Sequence, residues 1–429
     1  MEKLRNEAKA LKDAKKYPEA IVIYTKIYDS SSDKWLSWEY AYCLKQNKQI
    51  DEAISICKTF YATNKTFKYN NDLLAWLLYE KYFKVSQDEY SKKELDNLYD
   101  IAKFIPNLVE QNFNSPYEKI MLSTIKKIHK HSNTSNGKIL ELLSFIKPDL
   151  LSNQPGTFKK NNRESEYQSN KEYYYSIKAK VLYLEHLYNE CIACCDEAMK
   201  AIESFHHNND MWIKYRKALC RDKIGKTEEA IVKLKELIAE KKHWVICHSI
   251  AKIYDESNNE MQALLYFSIA ALDSVADNMK VTLFQDFAIF LNKINKFDFA
   301  YIHAMYAKKI RESEVWSIPN ELNHLIDEIL KQLPEENSEI SKKKLKQYWL
   351  DNVRTVSGIE HGKVTNIHRN KKFGFISSGT KSYYFQMKSA IGKKTIQSND
   401  LVEFTIIDSY DTLKKRATKE AAYICLFNK

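Results

Sequence analysis

Residues 227–238 read TEEAIVKLKELI, and their apolar side chains recur every three to four positions. That spacing is the period of an α-helix with one apolar face. The stripe consists of Ala230, Ile231, Leu234, Leu237 and Ile238. The stretch therefore predicts an amphipathic helix that opens with a small residue, Ala230, where a neighbouring helix can cross at close range.

The same arrangement recurs along the chain. Equivalent small residues are Ala20, Ala53, Cys191, Ala263 and Ala300. Neighbouring markers stand 33 positions apart in two cases, and 37 and 39 positions apart in two others. A second helical pattern precedes the markers, for example around Trp212 and Tyr215. This pattern resembles the tetratricopeptide repeat, a helix–turn–helix unit of about 34 residues, over 1–84 and 171–331. The resemblance implies stacked hairpins with a surface for a protein partner.

The chain carries few turn formers, with eight Gly and seven Pro in 429 residues. Such scarcity favours a mostly helical protein. We predict a TPR-like α-solenoid followed by a small all-β barrel. The first predicted segment is a repeat block at 1–146 that diverges after about residue 84, and a polar linker or loop follows at 147–172. The remaining segments are a second repeat block at 173–333, a basic connector at 334–357 and the barrel at 358–429.

All of the net charge lies at the C-terminal end. Residues 341–429 hold 18 Lys and Arg against 7 Asp and Glu, which leaves 49 of each sign in the first 340 residues. In the same region the periodicity changes to two along 362–376, 382–387 and 401–407. Short alternating runs separated by turn residues predict a small antiparallel barrel.

The barrel sequence carries four phrases at family-like spacing. They are GKVTNI at 362–367, KKFGFI at 371–376, YYFQM at 383–387 and SNDLVEF at 398–404. Together they resemble the cold-shock domain, an OB-fold that binds single-stranded RNA or DNA. The resemblance covers about 358–427. Asn366 stands where that family has a stacking Trp, Ile367 where it has Phe, Lys372 where it has Gly, and Gln386 where it has His.

The candidate binding residues follow from strand geometry and from this resemblance. Phe373 and Phe375 point to one face of a strand, where exposed bases can stack at about 1–3 kcal/mol each. Tyr384 and Gln386 would extend that platform from the neighbouring strand. Phosphate contacts are predicted for Lys363, Arg369, Lys371, Lys372, Lys388, Lys393 and Lys394. The alternative is that the phenylalanines are core residues of a barrel used only to bind protein. Because several stacking groups are replaced, we expect low sequence preference.

Catalytic and metal-binding patterns are weak. Cys191, Cys194 and Cys195 share one helix face, which is typical of core packing, and no second cysteine or histidine pair follows at zinc spacing. A metal site at His243, Cys247 and His248 is a minor alternative. His206 and His207 are predicted to be solvated in a turn. We expect no catalytic residue, no cofactor and no metal, although a catalytic site within the divergent 85–170 segment stays open.

These observations predict a non-enzymatic adaptor. Its barrel would bind single-stranded nucleic acid, with RNA as the first expectation and DNA as the alternative, and its repeats would bind an unidentified protein partner. The alternative is a pure protein–protein interaction scaffold whose barrel docks on its own repeats or on a partner. Such a scaffold could serve as a regulator or component of a bacterial stress or phage-defence system. No apolar run has the length of a membrane span, and the N-terminus has no signal-peptide pattern, so we expect a cytoplasmic protein without a membrane partner.

Overall fold

The computed structural model describes residues 1–29, 33–84, 89–131, 135–160, 163–333, 341–391, 395–411, 414 and 416–427. These residues form 18 α-helices and seven β-strands. The chain divides into an N-terminal unit, Met1–Arg216, and a C-terminal unit, Lys217–Lys429. No helix of the described ranges is long and apolar enough to cross a membrane.

The N-terminal unit is built from antiparallel helical hairpins. Its helices are α1 Glu2–Asp13, α2 Tyr17–Ile27, α3 Lys34–Gln46, α4 Ile50–Thr63, α5 Lys68–Tyr82, α6 Lys92–Leu108, α7 Pro116–His131, α8 Asn136–Ser144, α9 Asn170–Leu184 and α10 Tyr188–Ala201. Consecutive helices pack on each other, as in the pairs α1–α2, α3–α4 and α9–α10. Helix α11, Asn209–Lys223, begins in this unit and ends in the next.

The C-terminal unit continues the hairpins and then changes to strands. Its helices are α12 Thr227–Glu240, α13 Trp244–Glu256, α14 Glu260–Ala271, α15 Val281–Lys293, α16 Phe297–Ser313, α17 Asn320–Leu330 and α18 Lys342–Ser357. Pairs α13–α14 and α15–α16 pack as hairpins. The predicted TPR-like α-solenoid is confirmed as a fold class.

The small marker residues occupy one structural position. Each is the fourth residue of the second helix of a hairpin, and each has no exposed surface: Ala20, Ala53, Cys191, Ala230, Ala263 and Ala300. A larger side chain there would separate the two helices, since interiors pack without spare volume. The spacing read from the sequence therefore gave the register of six hairpins.

The turn inside each of these hairpins has a common backbone form that the sequence analysis missed. Two residues before each second helix the chain adopts positive φ, between +54° and +83°, at Lys15, Lys48, His186, Gly225, Asn258 and Asn295. The next amide bonds back to the carbonyl five residues earlier, as from Lys16 to Leu11 at 2.9 Å. This is the Schellman ending of a helix, for which glycine is the usual residue. Five of the six positions are Lys, His or Asn, so a search for glycine in the sequence could not have predicted these turns.

The segment 147–172 differs from the predicted linker or loop. It contains a 3₁₀ turn at Pro148–Leu150 and a hairpin of β1 Gly156–Lys160 with β2 Arg163–Tyr167, whose register pairs Gly156 with Tyr167. Main-chain hydrogen bonds form this hairpin, and such bonds leave little trace in a polar sequence.

His206 is also not solvated, contrary to the sequence-based prediction. Its Nδ1 lies 2.9 Å from the buried carboxylate of Glu172, and its Nε2 lies 3.4 Å from Glu166 on β2. The hydrogen bond to Glu172 raises the pKa of His206. The neighbouring His207 is exposed as predicted.

The described part of the predicted basic connector is a packed helix. Trp349 of α18 is buried, stacks on Phe284 with ring centroids 5.7 Å apart, and donates its indole N–H to His303 Nε2 at 2.8 Å. The apolar period of α18 was visible in the sequence, but the partners of Trp349 lie on α15 and α16. Residues 334–340 lie outside the described residues.

Five strands close into a barrel at the end of the chain. They are β3 Glu360–Ile367, β4 Phe373–Ser378, β5 Lys381–Gln386, β6 Leu401–Asp411 and β7 Arg416–Leu426, in the order β3-β4-β5-β7-β6 with β3 paired to β6. The predicted small all-β barrel is confirmed as a fold class. One detail differs, because β5 and β7 pair in parallel rather than antiparallel. The core contains Val364, Ile376, Phe385, Val402, Phe404 and Ile424.

Candidate nucleic-acid interface

Strand β4 alternates between the barrel core and the outer surface. Gly374 and Ile376 are fully buried, whereas Phe373 is half-buried and Phe375 is 37% exposed. Both phenylalanines therefore lie outside the core, and neither belongs to the buried cluster that fills the barrel. The core-residue alternative does not apply to these two rings.

Gly374 lets strand β3 approach β4 at this point. A Cβ atom on Gly374 would stand 2.5 Å from the carbonyl oxygen of Asn366 and 2.7 Å from the Phe385 ring. Real side-chain carbons do not approach so closely, so only glycine fits without a shift. The glycine between the two phenylalanines therefore holds the barrel wall closed behind their rings.

Tyr384 of β5 stands directly across from Phe375 in the strand register. Its ring centroid lies 5.9 Å from that of Phe375 and 5.5 Å from that of Phe373. We call Phe373, Phe375 and Tyr384 the aromatic face. Gln386 pairs with Phe373 on the β5 side, and Asn366 pairs with Phe375 on the β3 side. The structure thus brings together Gln386 and the three rings selected from the sequence, with Asn366 beside them.

His368 is a member of this surface that the sequence analysis missed. Its imidazole stacks on Phe373 with centroids 4.5 Å apart and planes inclined by 16°. The turn between β3 and β4 places it there, because the His368 amide donates to the Phe373 carbonyl at 2.9 Å. The sequence did hold one signal for this contact: the connection between the two strands is five residues long and had to form a tight turn. His368 therefore extends the aromatic face by a fourth ring.

The turn also presents three of the predicted cations. Lys371 has φ +55° and its amide bonds to the His368 carbonyl at 2.8 Å, while Asn370 Oδ1 accepts from the Lys372 amide at 3.0 Å. Arg369, Lys371 and Lys372 are exposed on this ordered turn.

Two further predicted cations lie on either side of this turn in the chain. Lys363 of β3 lies opposite Ser377, and Lys388 follows β5; both are exposed. Lys393 and Lys394 lie outside the described residues. Among the described residues, no carboxylate is within 4.0 Å of the five cations Lys363, Arg369, Lys371, Lys372 and Lys388. Their charges are therefore available to an anionic ligand.

The barrel packs on its own helices through other strands. Helices α12 and α18 contact β6. Lys242, just after α12, pairs with the buried Glu420 of β7 at 2.6 Å, and Arg354 of α18 pairs with Glu403 of β6. Glu420 is also the β7 partner of Tyr384, whose pKa is raised by burial and by that carboxylate. This packing uses β6 and β7, whereas both phenylalanines of the aromatic face are on β4.

The other candidate groups pack or pair within the protein. Cys191, Cys194 and Cys195 are buried, and burial raises the pKa of Cys194 to about 12. His248 pairs with Asp286 at 3.0 Å. No group of three or more metal-ligating side chains occurs within the described ranges. These positions show protein packing and a side-chain hydrogen bond.

Fold and surface together define a class: a TPR-like helical protein that carries a C-terminal five-stranded barrel with an exposed aromatic face. A domain of unknown function, DUF7017, matches residues 211–349, which run from α11 into α18 and end before the barrel. No curated protein matches the chain.

Several solved structures are similar to this chain. The human IFIT1 dimer with PPP-AAAA has 14% identity and a TM-score of 0.34, covering 82% of each chain. The APC/C hetero-tetramer Cut9–Hcn1 has 11% identity and a TM-score of 0.34, covering 79% of this chain and 56% of that one. A TPR protein of Thermus thermophilus has 13% identity and a TM-score of 0.21, covering 55% of this chain and 89% of that one. These similarities concern the helical fold alone.

Proposed function

We propose that this protein is a non-enzymatic adaptor whose barrel binds single-stranded nucleic acid, RNA in preference to DNA, and whose helical repeats bind a protein partner. One observation carries the nucleic-acid half: partly exposed aromatic rings on β4 and β5 adjoin a turn of cations that have no carboxylate partner among the described residues. Bases stack on such rings and phosphates pair with such cations. The resemblance of the barrel sequence to the cold-shock domain supports the same assignment.

Affinity in this proposal comes from two separable terms. Stacking contributes about 1–3 kcal/mol for each base that covers a ring. Phosphate pairing makes binding fall with salt, with a log–log slope of about −0.7 for each phosphate contacted on a single strand. Five cations engaged together would give a slope of about −3.5. Asn366 and Gln386 replace the family's Trp and His, so base contacts are fewer and sequence preference is low.

Fluorescence anisotropy with labelled RNA and DNA oligonucleotides tests the proposal on the full-length chain. The double variant Phe373→Ala and Phe375→Ala should lose at least tenfold in affinity, since about 1–3 kcal/mol is at stake for each ring. Phe113→Ala is the matched control, because Phe113 is 71% exposed and lies far from the barrel in sequence. Absence of binding at low salt, or equal binding by the double variant, would contradict the nucleic-acid assignment. Tighter DNA than RNA binding would contradict the RNA preference alone.

The second candidate is a pure protein–protein interaction scaffold, which could belong to a bacterial stress or phage-defence system. The observation that favours it is the attachment of the barrel to its own helices through Glu403 and Glu420. A pull-down from the native host, with and without RNase, separates the candidates. A partner retained after RNase treatment supports direct protein binding by the repeats. If every partner is lost with the RNA, the protein-binding half of the adaptor fails.

A further inference from the structure

A cavity of about 240 Å³ lies in the N-terminal unit between α7, α9 and the start of α11. Its lining includes His129, Tyr173, Ser176, Lys180, Trp212 and Arg216. The cavity is thus basic and aromatic, and it lies in a part of the chain that the barrel does not include.

The cations at this cavity have no acidic partner among the residues that the structure describes. Lys180 donates to Nε2 of His129 at 2.9 Å, so that imidazole is a neutral acceptor; burial and the Lys180 charge lower the pKa of His129. Lys126 lies 4.8 Å from the centre of the Tyr173 ring. Among the described residues of the N-terminal unit, no carboxylate is within 4.0 Å of Lys126, Lys180 or Arg216. Burial and the nearby Arg216 charge lower the pKa of Lys180, as expected for cations that repel each other.

Two buried hydroxyl groups at the cavity also have no partner. The Tyr173 and Ser176 oxygen atoms are inaccessible and make no hydrogen bond to any described residue. Leaving a buried hydroxyl unpaired costs free energy, so such groups commonly mark a missing acceptor. Each hydroxyl must turn toward the cavity before it can donate to the anion that the cations would attract.

The carboxylate nearest in the chain is already engaged. Glu172 does not line the cavity, and its oxygens accept from the His206 amide at 2.8 Å, His206 Nδ1 at 2.9 Å and Asn209 Nδ2 at 2.7 Å. It therefore has its own donors and does not neutralise Lys180 or Arg216. No carboxylate of the described part of this unit compensates the positive charge of the cavity.

We propose that this cavity binds the phosphomonoester group of a nucleotide. Two lining cations with a third beside them match one group of charge near −2, whereas a dicarboxylate divides the same charge between two separate groups. The Arg216 guanidinium can hold two phosphate oxygens, and the Tyr173 and Ser176 hydroxyls supply further donors once they turn toward the cavity. Tyr173 and Trp212 bring aromatic side chains to the cavity lining. The volume is somewhat below the roughly 300 Å³ at which drug-sized pockets begin, so it accepts a phosphate and its sugar rather than a larger ligand.

The phosphomonoester has two possible sources: a free nucleotide, or the 5′-phosphorylated end of a nucleic-acid strand. Calorimetric titration of the full-length chain with AMP, adenosine, succinate, and 5′-phosphorylated and 5′-hydroxyl hexanucleotides separates them. We expect AMP to bind and adenosine and succinate to show no heat. If the phosphorylated strand binds more tightly than both AMP and the hydroxyl strand, the source is a strand end. If the phosphorylated strand and the hydroxyl strand bind with equal affinity while AMP binds, the source is a free nucleotide.

Variants link this binding to the cavity. Arg216→Gln and Lys180→Gln should each weaken AMP binding about tenfold or more, because each removes a charged hydrogen bond. Lys200→Gln, an exposed lysine of α10 outside the cavity, should leave it unchanged. The proposal is overturned if AMP shows no heat at about 1 mM, if succinate or adenosine matches it, or if both cavity variants bind AMP like the wild type.

We expect AMP binding at this cavity to be independent of the barrel. Repeating the AMP titration in the Phe373→Ala and Phe375→Ala double variant should give the wild-type affinity. Loss of AMP binding in that variant would move the site to the barrel and overturn the cavity assignment, while oligonucleotide binding by the barrel would stand or fall separately.

Discussion

Val315 shows at the scale of one residue how this chain tolerates strained turns. It follows α16, has φ +58°, and is 91% exposed, and the Trp316 amide bonds back to the Arg311 carbonyl at 2.8 Å. The turn has the same Schellman form as the six hairpin turns, with a β-branched residue where glycine is favoured. A β-branched residue at positive φ is an outlier that stores strain.

Replacing Val315 by glycine should therefore stabilise the C-terminal unit by about 1 kcal/mol, since strain is removed and no packing is lost. Chemical denaturation followed by circular dichroism measures the change. Val232→Gly is the control, because Val232 is 52% exposed inside helix α12, where glycine should destabilise by about 1 kcal/mol. Equal destabilisation by both variants would show that the turn is not strained.

Lys371 combines a strained backbone with a proposed phosphate contact. Lys371→Gly should leave the fold intact or slightly more stable, because φ +55° suits glycine. It should also weaken oligonucleotide binding severalfold and make the salt slope about 0.7 less steep. Lys346→Gln, which removes an exposed lysine of α18, is the control for charge alone. An unchanged slope in Lys371→Gly would exclude Lys371 from the phosphate contacts.

At the scale of elements, a buried histidine joins α16 to α18. His303 Nδ1 donates to the Phe299 carbonyl at 2.6 Å, and its Nε2 accepts from the Trp349 indole at 2.8 Å. Both ring nitrogens are therefore used by the neutral form. Burial lowers the pKa of His303 from 6.5 to about 4. Protonation would break the bond to Trp349 and leave a buried charge.

The lowered pKa of His303 makes the stability of the C-terminal unit depend on pH in a defined way. Between about pH 6.5 and 4 the unfolded chain binds a proton at His303 that the folded unit does not, so stability falls as pH falls through that window. The loss is on the order of 3 kcal/mol by pH 4, with no contribution above about pH 7.

Urea unfolding at pH 7 and pH 5 measures the effect of His303. The control is His303→Gln, which cannot titrate and should lose less stability between the two pH values than the wild type. His206 titrates in the other unit with the opposite sign, because its pKa is raised: its contribution is lost as pH rises through that pKa. The comparison of wild type with His303→Gln removes the His206 contribution. An identical pH dependence in both proteins would contradict the assignment.

At the scale of the C-terminal unit, the barrel is attached to helices rather than tethered by a free connector. Glu420 is 3% exposed, pairs with Lys242, and accepts from Ser409 Oγ at 3.0 Å. Removing the cation would leave a buried carboxylate with one neutral donor. The cost is moderated because the Lys242 side chain is half exposed and screened by water.

Lys242→Ala should therefore destabilise the contact between β7 and the helices by about 1–2 kcal/mol and increase hydrogen exchange along β7. Lys233→Ala removes a lysine that pairs with Glu236 on the same helix, and it should leave that exchange unchanged. Unchanged protection in Lys242→Ala would mean that the ion pair does not hold the barrel.

Prediction from sequence succeeded where local periodicity carried the information. Markers such as Ala230 and Ala263 repeat with the helical unit, and Phe373 and Phe375 alternate with buried Gly374 and Ile376, as a strand requires. It failed for the hairpin at 156–167, for His206 and for His368, because their partners are defined by contacts between separate segments. Main-chain pairing and side-chain stacking of that kind leave no period to read.

By itself the sequence determined the helical repeats, the barrel and its basic, aromatic strand, because each depends on side-chain spacing within one element. Only the tertiary structure decided that α18 is a packed helix, that β6 and β7 carry the attachment to the helices, and that Lys180, Arg216 and two unpaired hydroxyls meet in one cavity. Those facts depend on which distant residues come within a few ångströms of each other, and that is settled by packing of the whole unit.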